Sequence, residues 1–521
     1  MKTKYISIWL LGLLSVFHIS CEDRLDIPKH GNMGSQEDFY KTDDDALSAL
    51  ASLYNSWGDS YYNWFFTKNL LADDVWCSGG SRGDNASMEQ LNEYTFDTDH
   101  GMITSLYAEM YTIIYKANLI IDFLEPDTEV KKRAVAEAKF YRAWAHFELV
   151  TLFGTAPVVD HLLSPEEYRL ANSTPEELWL FVESDLKDAI DSGALPSKSG
   201  IDDAETGIRV TREVAQAMLG KAYLFQGKHS EAAAILDTVI ESGKYGLYQG
   251  EYDMLQHVAA NGSRESMLEV QKRNDAEQAW NQYTMTFLMQ GWRTDKLNYS
   301  GEAAAVIAQG TYGFMNPRRS LYDAFVATEG TDGYRLKSTM RTSEQMEEFG
   351  ITLQTGASWV GHEGLYMWKN RTLLEDCIYD ASYFQALQYI NLRVMRYAEV
   401  LLLAAEAHVV SGNPGKALAY INQIRTRAQL PALSAVTLED VKNEKRLELC
   451  LESVRFQDLV RWGDAEAVLG EQGKEIPGFS ATGVEILFTN SVYGFKAKHN
   501  LLPIPRQELE LNPNMEQNAY W

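Results

Sequence analysis

Glu444-Lys-Arg-Leu-Glu-Leu-Cys-Leu-Glu-Ser-Val-Arg-Phe-Gln-Asp-Leu-Val-Arg-Trp462 is the stretch whose reading decides the fold. Leu447, Cys450, Leu451 and Val454 recur at helical spacing, which predicts an amphipathic helix with an apolar seam. Charges alternate beside that seam. Glu452, Arg455, Asp458 and Arg461 follow one another at intervals of three residues, so on one continuous helix each meets the next. Charges this close to an apolar seam are expected to be half-buried and fixed in place rather than solvated.

Outward from this segment, Leu219-Gly220-x-x-Tyr223 is followed by Ala232 and Leu236, with Gly227 at the intervening turn. That is the pattern of a tetratricopeptide helix pair, in which small residues let two antiparallel helices approach and large ones fill the gap to the next pair. A looser copy runs from Tyr397 through Ala404, Ala407, Gly412-Asn-Pro414 and Ala417 to Ile421 and Ile424. Earlier helices are predicted over 35–57, 101–124, 130–152 and 174–191, the last opened by Thr174-Pro-Glu-Glu177 as cap and first turn. Several such pairs imply a helical-repeat scaffold. Between Gly246 and Gln388 helical periodicity lapses, and Gly, Trp and Tyr become frequent. The expected organisation is therefore a signal peptide (1–20), a flexible tether (21–35), an N-terminal helical portion (36–245), a loop-rich region (246–388) and a C-terminal helical portion (389–521).

The 444–463 segment also resembles the signature helix of the SusD/RagB family of outer-membrane nutrient-binding lipoproteins, approximately Glu-Arg-Arg-x-Glu-Leu-Ala-Phe-Glu-Gly-x-Arg-Phe-x-Asp-Leu-x-Arg-Trp. Here Lys445 stands for an Arg, Cys450 for a small residue and Ser453 for the usual Gly. Further matches arrive in family order: 142–150 with Leu152-Phe-Gly-Thr-Ala-Pro157, then 396–402, then Leu502-Pro-Ile-Pro505 with Gln517-Asn518. The resemblance is weakest between Gly246 and Gln388. It implies a mainly α, SusD-like fold, a tetratricopeptide-like helical-repeat scaffold with a large irregular loop-rich region.

The amino terminus points the same way. Lys2 and Lys4 precede a mostly apolar run over 6–17, and Ser20 precedes Cys21, the order of a signal peptide that ends at a lipid-modified cysteine. The run is too short for an ordinary spanning helix. Cys21 is thus the expected lipid anchor, and an acylated cysteine with more than one chain holds a body stably on a membrane. Glu22 and Asp23 resemble the acidic signal that sends such lipoproteins to the cell exterior. The chain has 521 residues and a net charge of −26, which becomes −28 once Lys2 and Lys4 leave with the signal peptide. So acidic a body lacks the basic face that nucleic acid demands, and it does not lie flat on anionic lipid. Only Cys77, Cys377 and Cys450 follow Cys21, so no disulfide framework is expected.

Sugar rings present apolar C–H faces bordered by hydroxyls, so their sites combine flat aromatic platforms with short polar groups. Trp280, Trp292, Trp359 and Trp368 fall in the loop-rich region, and Trp76, Arg82 and Asn85 sit together in a second irregular stretch. These seven are the candidate ligand contacts, with core packing the competing role for each ring. Trp144 and Trp462, on amphipathic helices, are expected in the core. No zinc or phosphate-loop motif is present, and no cofactor is expected. Gly79-Gly-Ser-Arg-Gly83 has the letters of a nucleophile elbow without the preceding apolar strand, so no enzyme is predicted. The resemblance implies a cell-surface, lipid-anchored outer-membrane protein that captures a nutrient and passes it to a SusC-like TonB-dependent transporter, over which it sits as a hinged lid. The implied cargo is an oligosaccharide; a peptide, as for some RagB-like relatives, is the alternative, and a non-binding structural adaptor is the third reading.

Overall fold

The computed structural model describes residues 39–278, 285–378 and 387–521; Cys21 and Trp280 lie outside them. Eleven helices build the scaffold: α1 (Asp43–Leu70), α2 (Ala86–Asn92), α3 (Gly101–Phe123), α4 (Glu129–Phe153), α5 (Pro175–Asp191), α6 (Arg212–Phe225), α7 (His229–Glu241), α8 (Tyr397–Val410), α9 (Pro414–Arg427), α10 (Leu438–Leu449) and α11 (Arg455–Trp462). α1 starts eight residues later than the spacing predicted, because Thr42 caps it. The Thr42 hydroxyl accepts from the Asp45 amide, and Asp45 accepts from the Thr42 amide at 2.8 Å, a capping box. It also runs on to Leu70, since Tyr61, Trp64 and Phe65 extend its buried face. α5 begins as expected, with Thr174 and Glu177 reciprocally bonded.

α6 and α7 form the predicted helix pair, turning at Gly227 with φ +73°. A Cβ on Gly220 would stand 2.5 Å from Leu236 Cγ, so only glycine admits the α7 side chain at this distance. α8 packs on both α7 and α9, so the second pair stacks on the first although the loop-rich region separates them in sequence. Buried ion pairs cross the helical core: Lys68 with Glu148 at 3.2 Å, Arg142 with Asp185 at 2.7 Å and Lys221 with Glu399 at 2.8 Å.

The 444–462 segment is not one helix. α10 ends at Leu449, Leu451 and Ser453 take positive φ (+67° and +64°), and α11 restarts at Arg455. The ladder expected on a continuous face is therefore only partly formed. Asp458 does pair with Arg461 at 2.8 Å, but Arg455 reaches Asp73 at 2.8 Å and Glu452 pairs with Arg396 at 2.7 Å. Leu447, Cys450, Leu451 and Val454 are all buried, on the two sides of the break.

Short elements make up the described residues of 242–396. Strands β1 (Val75–Trp76) with β4 (Asn316–Pro317), β2 (Ser266–Val270) with β9 (Leu392–Arg396), β3 (Leu297–Tyr299) with β6 (Ile351–Leu353) and β5 (Met340–Thr342) with β8 (Leu365–Met367) form two-stranded antiparallel ladders. β7 (Ser358–Val360) instead joins a hairpin from the C-terminal portion, β10 (Glu475–Ser480) and β11 (Gly483–Thr489), in the order β11-β10-β7. Arg396 locks this layer to the scaffold, bonding Glu265 at 2.7 Å, Glu448 at 2.6 Å and Glu452 at 2.7 Å from the end of β9.

Candidate ligand-binding face

The tryptophans of the loop-rich region do not stand open as platforms. Trp292, Trp359 and Trp368 are 3%, 2% and 5% exposed and join Leu297, Tyr366 and Phe479 in a second hydrophobic cluster. Trp292 and Trp368 stack at 6.1 Å between centroids, and the guanidiniums of Arg341 and Arg371 cover Trp368 at 4.4 and 4.8 Å. Trp359 packs against both His362 and Phe479, at 5.3 and 6.2 Å, and those two rings stack on each other at 5.4 Å. Burial holds the His362 imidazole down at about 3, so it stays neutral as a packing ring. Trp76 is also buried, under Arg318 at 3.9 Å. Burial favours the competing role, core packing: a layer this poor in regular structure needs large side chains to make a core, and Trp292, Trp359 and Trp368 supply it.

Above that cluster the surface is polar with isolated rings. Arg82 pairs with Glu93 and, at 3.1 Å, with Glu89, and its guanidinium lies 5.4 Å from the Phe488 ring. Asn85 is the N-cap of α2, its side-chain oxygen accepting from the Met88 amide at 3.2 Å, which makes it a local structural residue. Arg293 bonds Asp84 at 2.6 Å and Asp295 at 2.9 Å, joining the 78–85 loop to the loop-rich region. Burial and the nearby Arg293 lower the Lys296 ammonium below its ordinary range. Tyr312 is 44% exposed beside this cluster, held by its amide on the Leu288 carbonyl at 2.7 Å. Gly313 makes the approach possible: φ is +68°, and a Cβ there would fall 2.2 Å from the Arg293 amide nitrogen. Of the sequence candidates among the described residues, the structure brings only Arg82 to this face. Tyr312, Arg293 and Phe488 were missed; the one sequence signal was a tyrosine bracketed by Gly310 and Gly313.

Two further concavities are lined by other residues. Between α1 and the loop-rich layer, the amides of Gln256, Gln290, Asn370 and Asn391 meet Tyr61 and Arg393 around about 20 Å³ of free space. That volume suits one ordered water, not a sugar ring. On the scaffold, Tyr111, Tyr115, Asn118, His161, Leu162 and Tyr168 line an open groove of about 370 Å³, with Tyr115 and Tyr168 51% and 64% exposed.

The molecule is thus a helical-repeat scaffold carrying an irregular layer, with rings and short polar groups on its surface. The chain belongs to the SusD/RagB family: the profile described as "SusD family" matches residues 264–521, and "Starch-binding associating with outer membrane" matches 35–224. It is similar to SusD-like protein P2 of Formosa agariphila, 27% identical over 99% of each chain, and to starch-binding protein SusD of Bacteroides thetaiotaomicron, 23% identical over 99% of each. Among solved structures, a laminarin-binding SusD-like protein superposes with a TM-score of 0.78 at 28% identity, covering 92% of this chain and 100% of that one.

Proposed function

We propose that this protein is a cell-surface lipoprotein, anchored through Cys21, that binds an oligosaccharide without altering it and delivers it to a SusC-like TonB-dependent outer-membrane transporter. The observation that carries this reading is the end-to-end similarity to a laminarin-binding protein at a TM-score of 0.78. The chemistry of the face agrees: Tyr312 and Phe488 offer exposed apolar rings, and Arg82, Arg293 and Asp84 offer hydroxyl partners. Trp292, Trp359 and Trp368 support that face from beneath, and Trp280 remains a candidate contact. A carrier must release its cargo, so affinities on the order of micromolar to millimolar are expected.

The test is affinity electrophoresis of the mature protein against neutral polysaccharides, laminarin and starch among them, and against peptide digests. Retardation by a glycan is expected, with Tyr312→Ala and Arg293→Ala each weakening it by more than about fivefold, the loss typical of a central contact. Weakening confined to Tyr115→Ala and Tyr168→Ala moves the site to the scaffold groove. Binding of peptides alone replaces the glycan with the RagB-like cargo.

A further inference from the structure

β11 is an edge strand whose outer side has no partner among the described residues. Its sequence, Gly-Val-Glu-Ile-Leu-Phe-Thr, has high strand propensity, yet Val484, Ile486, Leu487 and Phe488 are 49%, 51%, 40% and 43% exposed. Folded proteins guard such edges with Lys, Pro, short length or cover. Seven residues long, β11 contains neither Lys nor Pro, and its one irregularity is the register shift opposite Ile476/Pro477. Leu487 folds back over Gly478, where a Cβ would stand 2.2 Å from its Cδ1, so the hairpin is a built structure and not a loose flap. Val492, just beyond it, is 64% exposed and extends the apolar strip.

The charges beside this edge select its occupant. Glu485 on β11 and Glu475 on β10 are exposed and make no ion pair among the described residues, while Arg82, which lies over Phe488, and Lys474, next to Glu475 in sequence, are engaged by Glu93 and Glu471. Two copies of a chain with net charge −26 repel each other. Glu485 and Glu475 beside this apolar strip also disfavour an anionic lipid surface. We infer that the free edge of β11 is a strand-addition site for an extended segment of a second protein, one that places a Lys or Arg opposite Glu485 between apolar side chains. Main-chain hydrogen bonds along the edge supply affinity, and the cation opposite Glu485 fixes the register. Arg82, which lies over Phe488, connects this edge to the candidate ligand-binding face, so a partner bound here borders the cargo. The inference stands on the edge and its charges and does not depend on the nature of that cargo.

The test uses the full-length protein in its native cells, with photoreactive benzoylphenylalanine placed at Ile486 and, as control, at the exposed C-terminal Tyr520. Irradiation is expected to link position 486, above the control, to one polypeptide, at a tryptic-mapped extended segment bearing Lys or Arg. Glu485→Lys should lower that yield by about fivefold or more, the effect of turning an attractive cross-strand pair repulsive, while the melting temperature stays unchanged. Linkage no greater than at Tyr520, linkage to lipid or to another copy of this chain, or a yield indifferent to Glu485→Lys overturns the inference.

Discussion

Ser453 holds a left-handed backbone conformation, φ +64°, that costs a residue with a side chain roughly 1–2 kcal/mol. The family pattern has glycine there, and the break between α10 and α11 is the reason. Ser453 offsets the strain with its hydroxyl, which accepts from Asn69 Nδ2 at 2.8 Å and donates to the Phe65 carbonyl at 3.3 Å, binding the break to α1. Ser453→Ala keeps the strain and loses both bonds, so a destabilisation of about 1–3 kcal/mol is expected in urea unfolding. Ser453→Gly loses the same bonds but relieves the strain, and it should fall within about 1 kcal/mol of the parent, above the alanine variant. Equal stabilities for Ala and Ser would show that the hydroxyl contributes nothing. At this scale the sequence was legible as a departure from pattern, but nothing in a helical spacing reveals that the pattern's glycine marks a turn.

At the scale of elements, caps and periodicity located α3 and α5 closely: 101–124 was expected and Gly101–Phe123 found, and Thr174 caps α5 as predicted. The charge ladder was misread because its partners lie far away in sequence. Arg455 meets Asp73 and Glu452 meets Arg396, pairings that exist only once α10, α1 and β9 have assembled. Glu448 sits at the centre of that assembly, fully buried among Arg396, Arg335 and Arg427, whose guanidiniums overcome its desolvation and hold its carboxyl down at about 2. Removing the charge leaves three guanidiniums undercompensated, so Glu448→Gln should cost about 3–5 kcal/mol. The pH dependence follows from the depressed value. The stabilisation is fully present above the ordinary glutamate range near 4.5 and is lost as pH falls towards 2. The gap in melting temperature between parent and variant should therefore be constant above about pH 5 and narrow below it; a gap that widens on acidification contradicts the assignment.

At the scale of the whole molecule, composition announced an aromatic-rich layer but not which rings it would bury. Trp359 is enclosed because β7 pairs with β10, more than a hundred residues further along, and brings Phe479 across its face. No local pattern encodes that. What composition does dictate is the field around the body. A net charge of −26 raises the local concentration of cations and leaves a neutral glycan unaffected. Salt screens that field, with a Debye length of about 30 Å at 0.01 M and about 10 Å at 0.1 M. If the cargo is a neutral oligosaccharide held by ring contacts and by hydroxyls on Arg293 and Asp84, its Kd from calorimetry should stay within about twofold as ionic strength rises from about 0.01 M to about 0.3 M. A cationic peptide drawn by the same field would weaken severalfold over that range, mainly through its association rate. Salt dependence therefore separates the two cargo classes by physics independent of any one contact. A glycan whose affinity collapses with added salt would place charge, and not ring stacking, at the centre of recognition.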